Sequence, residues 1–163
     1  MNALRESDAV LLRAAIGQAR LTLALGNRPY RAVIADSRGQ IIASAGNTAN
    51  GPRDCTAHAE VNAIRAAFGE LGREGLAEAT IYASGEPCLM CSGAIYWSGL
   101  RRVVYGLGLS ALAARQPPER GAMPMLGCRE VLARVNPDVE VVGPALEDEI
   151  LALFDPVAAP TGA

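Results

Sequence analysis

The order of predicted elements places this chain in the α/β class, as a five-stranded mixed sheet with helices on both faces. Three observations predict it. After an N-terminal helix two strand-like runs form a hairpin, the strands that follow alternate with helical patterns, and no repeat or linker divides the 163 residues. Residues 1–156 are therefore read as one domain and 157–163 as a flexible tail.

The elements follow in order. Leu12, Ile16, Ala19 and Leu23 recur at helical spacing, with Ser7 as the expected N-cap and Gly26 as the stop after about Leu25. "YRAVIAD" and "QIIASAG" read as strands joined by a turn at "SRG". "NTANGPRDCT" is loop by composition. "AHAEVNAIRAAFGEL" is helical, with Val61, Ile64 and Phe68 on one face and Gly69 and Gly72 marking its end. "EATIYAS" is the third strand. "CLMCSGAIYWSGL" is apolar nearly all round and reads as a buried helix. "RRVVYGL" is the fourth strand. "SALAARQPPERGAMPM" is read as irregular, since two adjacent prolines exclude a continuous helix. "CREVLARV" is helical, "DVEVVGP" the fifth strand and "LEDEILALF" a closing helix with its acids at the favoured N-terminal end.

Composition narrows the function. All 15 cations are arginine, which removes lysine-nucleophile and Schiff-base mechanisms. After Arg134 come Asp138, Glu140, Glu147, Asp148, Glu149 and Asp155 with no cation, a tail that would repel nucleic acid. No apolar segment is long enough to span a bilayer, and the N-terminus lacks a signal-peptide pattern. Four cysteines in such a chain suggest free thiols or metal ligands in a cytoplasm.

The chemistry lies in two short motifs. "PCLMCSGAIYW" places Cys88 and Cys91 three apart, directly after a strand. The single histidine, His58, opens the helix that contains Glu60. Backbone N–H groups at a helix start favour negative charge and lower thiol pKa values, and Pro87 suits a helix entry because it needs no donor. One His and two Cys leave a fourth position for water, the arrangement of a catalytic zinc, whose bound water is acidified from 15.7 toward ~7. Glu60 is too close in sequence to chelate easily beside His58 and is placed to carry that water's proton to a leaving group. Alone, the Cys pair would equally suit a redox dithiol or half of a closed structural zinc site, with Cys55 as a competing ligand, and His58 or Glu60 alone would be ordinary helix residues. Cys128 reads as a buried apolar residue. The conjunction of His-x-Glu with Pro-Cys-x-x-Cys about thirty residues later is the pattern of zinc deaminases acting on bases.

Through "TAHAEVNAIRAA" and "EPCLMCSGAIYWSGLRRVVYG" the chain resembles the cytidine deaminase-like superfamily over nearly its whole length, on the purine branch of guanine and tRNA adenosine deaminases. "GAIYW" is more similar to the guanine enzymes. The resemblance implies a three-layer α/β/α fold, parallel fourth and fifth strands, bound Zn2+ and a homodimer. The long connection between "RRVVYGL" and "DVEVVGP" agrees with a parallel pair. By position it also implies substrate contacts. Asn47 would hold the base and the amide of Ala59 a ring atom, Tyr30 would line the pocket, and Trp97 would stand near the substrate. Glu86 in "GEP" is grouped with them. The chain departs from the pattern at Arg31, which replaces a family glycine, and in the segment after the fourth strand, which lacks an expected acidic-aromatic stretch. The expected reaction is hydrolytic loss of an exocyclic amine from guanine or a related amino-heterocycle. Alternatives are tRNA adenosine deamination, cytosine, triazine or nucleoside deamination, and a non-catalytic zinc protein.

Overall fold

The computed structural model describes residues 3–51, 53–115 and 125–154. The elements are α1 (Glu6–Ala24), β1 (Arg31–Ala35), β2 (Ile41–Gly46), α2 (Ala59–Ala77), β3 (Thr80–Gly85), α3 (Leu89–Ser98), β4 (Arg102–Leu107), α4 (Leu109–Ala114), α5 (Cys128–Val135), β5 (Glu140–Val142) and α6 (Glu147–Leu151). The strands form one sheet in the order β2-β1-β3-β4-β5. β1 is antiparallel to β2 and β3, whereas β3, β4 and β5 run parallel, so the sheet is mixed.

Strand alternation divides the core into two layers. Ala32, Ile34, Ile81, Val103 and Val141 face α2, α3 and α5, where Ala63, Ile64, Ile95 and Leu132 meet them. Val33, Ala35, Val104 and Val142 face the opposite way, onto Leu12, Ala15 and Ile16 of α1 and Ile150 of α6. Leu12, Ile34, Ile81, Ile95 and Ile150 are fully buried, and each such side chain is worth ~1.5–3 kcal/mol relative to exposure. These two layers make the three-layer α/β/α architecture. Among the described residues no helix is long and apolar enough to cross a membrane.

Several local expectations are corrected. α1 starts at Glu6 with Arg5 as N-cap, not Ser7, because the Asp8 carboxylate reaches back to accept the Arg5 N–H at 2.9 Å. Gly72 ends the first stretch of α2 as expected, but the expected helix end is followed by a second stretch. Gly72 adopts φ 59°, breaks the helix and lets it resume to Ala77. Phe68 is exposed and Ala67 takes the buried place beside Ala63 and Ile64, since the sheet sits close to this helix face. α3 is buried along one side only: Cys91 and Ile95 are inside while Leu89 and Trp97 are exposed. The segment read as irregular begins with α4, and its two adjacent prolines lie outside the described residues. The closing helix ends at Leu151 rather than at Phe154, and the tail also lies outside the described residues.

Candidate active site

The site lies beyond the C-terminal ends of the parallel strands β3 and β4, where open α/β sheets place their ligands. Two helix starts converge there. His58 is the N-cap of α2 and Cys88 the N-cap of α3, both with extended backbone, and Cys91 lies three residues into α3. The loop before α2 is pinned by Asn62, whose Nδ2 donates to the Gly46 carbonyl and Thr48 Oγ1, each at 3.0 Å. The same loop carries Asn47, so one helix residue sets the position of both His58 and Asn47.

His58 Nδ1 lies 3.6 Å from Cys88 Sγ and 3.6 Å from Cys91 Sγ, and the two sulfurs are 3.6 Å apart. Donors at ~2.0–2.3 Å from a tetrahedral ion would be separated by roughly this edge length, so these three side chains fit Zn2+. Among the described residues the metal-ligand cluster comprises these three alone. Cys55 is exposed and lines the neighbouring cavity without joining them, which leaves no fourth thiolate to close the site. Without metal the three donors share protons. A hydrogen bond from Cys91 holds the Cys88 thiol down to about 4, with further help from His58. Cys91 is pushed up by donating to Cys88 and by burial, and His58 is raised by its bond to Cys88. A dication would take the place of those protons and hold both sulfurs as thiolates.

Glu60 projects from the first turn of α2 into this cluster, 3.5 Å from Cys91 Sγ. It is buried, and desolvation pushes its carboxyl above the ordinary range. A carboxyl poised higher than usual can both take and return a proton near neutral pH.

A cavity of about 260 Å3 opens over the cluster, lined by Tyr30, Asn47, His58, Glu60, Glu86 and Cys88. Asn47 is buried, and its Oδ1 accepts from Ala49 N at 3.2 Å, which leaves its Nδ2 as a donor. The Tyr30 ring packs over Gly85, where an added Cβ would lie 3.2 Å from two ring carbons, and tilts against Phe154 with centroids 6.0 Å apart. Ala59 is the first residue of α2, so its N–H lacks an intrahelical acceptor, but its side chain belongs to the core. Trp97 lies away from the cavity. It is 73% exposed, edge-on to Tyr96, and Arg73 donates to its carbonyl. Glu86 lines the cavity with both oxygens already engaged: Oε1 accepts from Cys128 N at 2.9 Å and Oε2 from Leu109 N at 3.0 Å. It thus ties the starts of α4 and α5 to the metal-binding turn. Arg31 points away from the site, since its Nε donates to Ser44 Oγ, which in turn donates to Gln18 on α1.

Sequence reading missed Arg28, Asn50, Leu109 and Leu112, which complete the cavity wall. Leu109 and Leu112 were hidden by the irregular reading of α4. The one available signal for Arg28 was its place directly before Pro29-Tyr30.

A buried carboxylate beside an open His-Cys-Cys site defines a zinc-dependent hydrolytic centre. Residues 5–107 match the cytidine and deoxycytidylate deaminase zinc-binding region, and the chain belongs to that family. It is a zinc-binding deaminase. It is 37% identical over 149 residues to a probable cytosine deaminase of Schizosaccharomyces pombe, covering 91% of this chain and 90% of that one. A tRNA-specific adenosine deaminase of Bacillus subtilis is 34% identical over 142 residues, covering 87% and 83%. The X-ray structure of guanine deaminase from Bacillus subtilis superposes with a TM-score of 0.60 at 34% identity, covering 76% and 83%.

Proposed function

We propose that this deaminase removes the exocyclic amine of a free nucleobase or a closely related amino-heterocycle, with guanine as the first substrate to test. The observation that carries the reading is the base-sized cavity whose floor is the His58-Cys88-Cys91 cluster and whose walls hold Glu60 and Asn47. Zn2+ bound there supplies an acidified water for hydrolysis. This chain's residues do the rest. Glu60 takes one proton from the attacking water and donates it to a ring nitrogen, then takes that water's second proton and delivers it to the departing ammonia. Asn47 Nδ2 and the free N–H of Ala59 orient the ring edge, and Tyr30 and Leu112 give the flat ring apolar walls. Trp97, Phe68 and Leu89 form exposed apolar surface on α2 and α3, which supports a homodimer. Four free thiols among the described residues suit the reducing cytoplasm.

Deamination of tRNA adenosine is the second reading, favoured by the similarity to a tRNA-specific enzyme over most of both chains. The absence of lysine and the acidic C-terminal part weigh against it, because phosphate contacts supply most non-specific affinity. Ammonia release from a panel of purines, pyrimidines, pterins and triazines, run beside inosine formation in tRNA anticodon stems, separates the two. In either case Glu60→Gln is expected to lower turnover by ~10²–10⁴-fold while zinc stays bound. Near-normal turnover in that variant would remove Glu60 from its role.

A further inference from the structure

Arg28 stands on the wall of the same cavity, yet neither metal binding nor proton transfer uses it. Among the described residues it is the one arginine in that wall. Among the described residues no ion pair or hydrogen bond holds its guanidinium. The two carboxylates of the cavity do not serve it: Glu60 is buried beside Cys91, and Glu86 spends both oxygens on backbone N–H groups. Arg28 is thus an exposed cation without a counter-charge on the wall of the site.

The backbone beneath Arg28 is fixed. Pro29 follows it and restricts it to extended conformations, and its carbonyl accepts from Tyr30 N at 2.7 Å. The adjoining loops are cross-linked, with Asn50 N donating to Asn27 Oδ1 at 3.1 Å and Asn50 Nδ2 to the Gly26 carbonyl at 2.9 Å. The rim therefore presents one unpaired cation and the Asn47 carboxamide from a held frame. A dication held by His58, Cys88 and Cys91 at the floor would be neutralised by the two thiolates, so the metal cluster would add no net repulsion toward an anion.

We infer that Arg28 selects amino-heterocycles that carry negative charge on the edge away from the amine. The inference rests on the deaminase reading above and deepens it. The anion can belong to the ring, as a carboxylate or ionised ring oxygen, or to a nucleotide phosphate. The cavity of about 260 Å3 is smaller than the ~300–1,000 Å3 of pockets that enclose drug-sized ligands, which favours an anion on the ring itself.

The test uses zinc-loaded wild type, Arg28→Gln and Arg28→Lys. Matched substrates are cytosine against 6-carboxycytosine and guanine against 8-carboxyguanine, with cytidine and guanosine monophosphates as the phosphate arm. Arg28→Gln is expected to raise KM for the anionic member by about tenfold or more, the scale of one charge-assisted hydrogen bond, with kcat and the neutral member unchanged. Arg28→Lys should recover part of the loss, as it keeps the charge but not the planar fork. An effect confined to the monophosphates assigns the anion to phosphate. Equal change for neutral and anionic members, or none for any anion, overturns the inference. Calorimetric binding of the same pairs is read whether or not turnover occurs. A wild type that deaminates none of these substrates refutes the free-heterocycle reading above, while charge-dependent binding still decides the role of Arg28.

Discussion

Glu86 sits beside the zinc-binding turn, but its geometry is that of a brace. Its two oxygens accept the first N–H groups of α4 and α5 at 3.0 and 2.9 Å, and Gly127 is the N-cap before Cys128. Hydrogen bonds to a charged acceptor are worth ~1.5–3 kcal/mol each. Glu86 is half-buried, so water recovers part of that when it is removed, and Glu86→Ala should cost ~2–3 kcal/mol in total. For a chain of this length that is a Tm decrease of ~5–10 °C. The structure supplies a second, sharper handle. A Cβ at Gly127 would lie 2.6 Å from Glu86 Oε1, so Gly127→Ala must displace the carboxylate. The substitution should therefore be harmful in the wild type and nearly neutral in a Glu86→Ala background. Thermal melts of the four proteins in this double-mutant cycle measure the coupling, expected at ~1 kcal/mol or more. KM on the best heterocycle should rise in Glu86→Ala with zinc retained, because Leu109 and Leu112 lose their anchor at the cavity wall. Strictly additive melts would refute the brace, and a Glu86→Ala variant with unchanged stability but abolished binding would restore Glu86 as a direct substrate contact.

At the opposite end of the sheet, buried Asp8 receives Arg102 Nη1 at 2.7 Å, Arg102 Nη2 at 2.9 Å and Tyr82 Oη at 3.1 Å. Asp8→Ala should cost ~3 kcal/mol in urea unfolding by removing the acceptor of Arg102 Nη1 and Nη2, Tyr82 Oη and the Arg5 N–H, while Arg102 keeps its 2.7 Å bond from Nε to Glu140 Oε2. Burial would raise the Asp8 carboxyl, but Arg102, the Arg5 N–H and Tyr82 outweigh it and hold the group below its ordinary 3.8. Its contribution is thus fully present above that unfolded value and is lost as pH falls through the lower folded one, so Asp8→Asn should flatten the acid limb of the stability curve. Cys91→Ala should lose zinc on purification, read by metal analysis, together with the rise in Tm that added zinc gives the wild type. Gly85→Ala places a methyl 3.2 Å from the Tyr30 ring, and steady-state kinetics should show a raised KM with an intact fold by circular dichroism.

Much of this site is local in the chain and for that reason legible. His58 with Glu60, and Cys88 with Cys91, each belong to one helix start, where spacing and the preceding loop or proline carry the information. The hairpin, the strands and α5 were legible through the same short-range patterns. Periodicity failed where two faces of a helix are both apolar. Phe68 and Ala67 are neighbours, and only the sheet packed against α2 decides which goes inside. Trp97 shows the same limit on α3, whose all-round apolar pattern does not reveal that one side is exposed.

By itself, then, the sequence determined the chemistry: one imidazole, two thiols and a carboxyl in motifs short enough that local geometry sets each pair. The tertiary structure alone decided how residues 30 apart, His58 and Cys88, come within 3.6 Å, and what surrounds them. It turned Arg31 toward Ser44, engaged Glu86 with two helix starts and left Arg28 unpaired at the rim. Side-chain direction at such positions depends on partners distant in the chain, and composition and spacing carry no record of them.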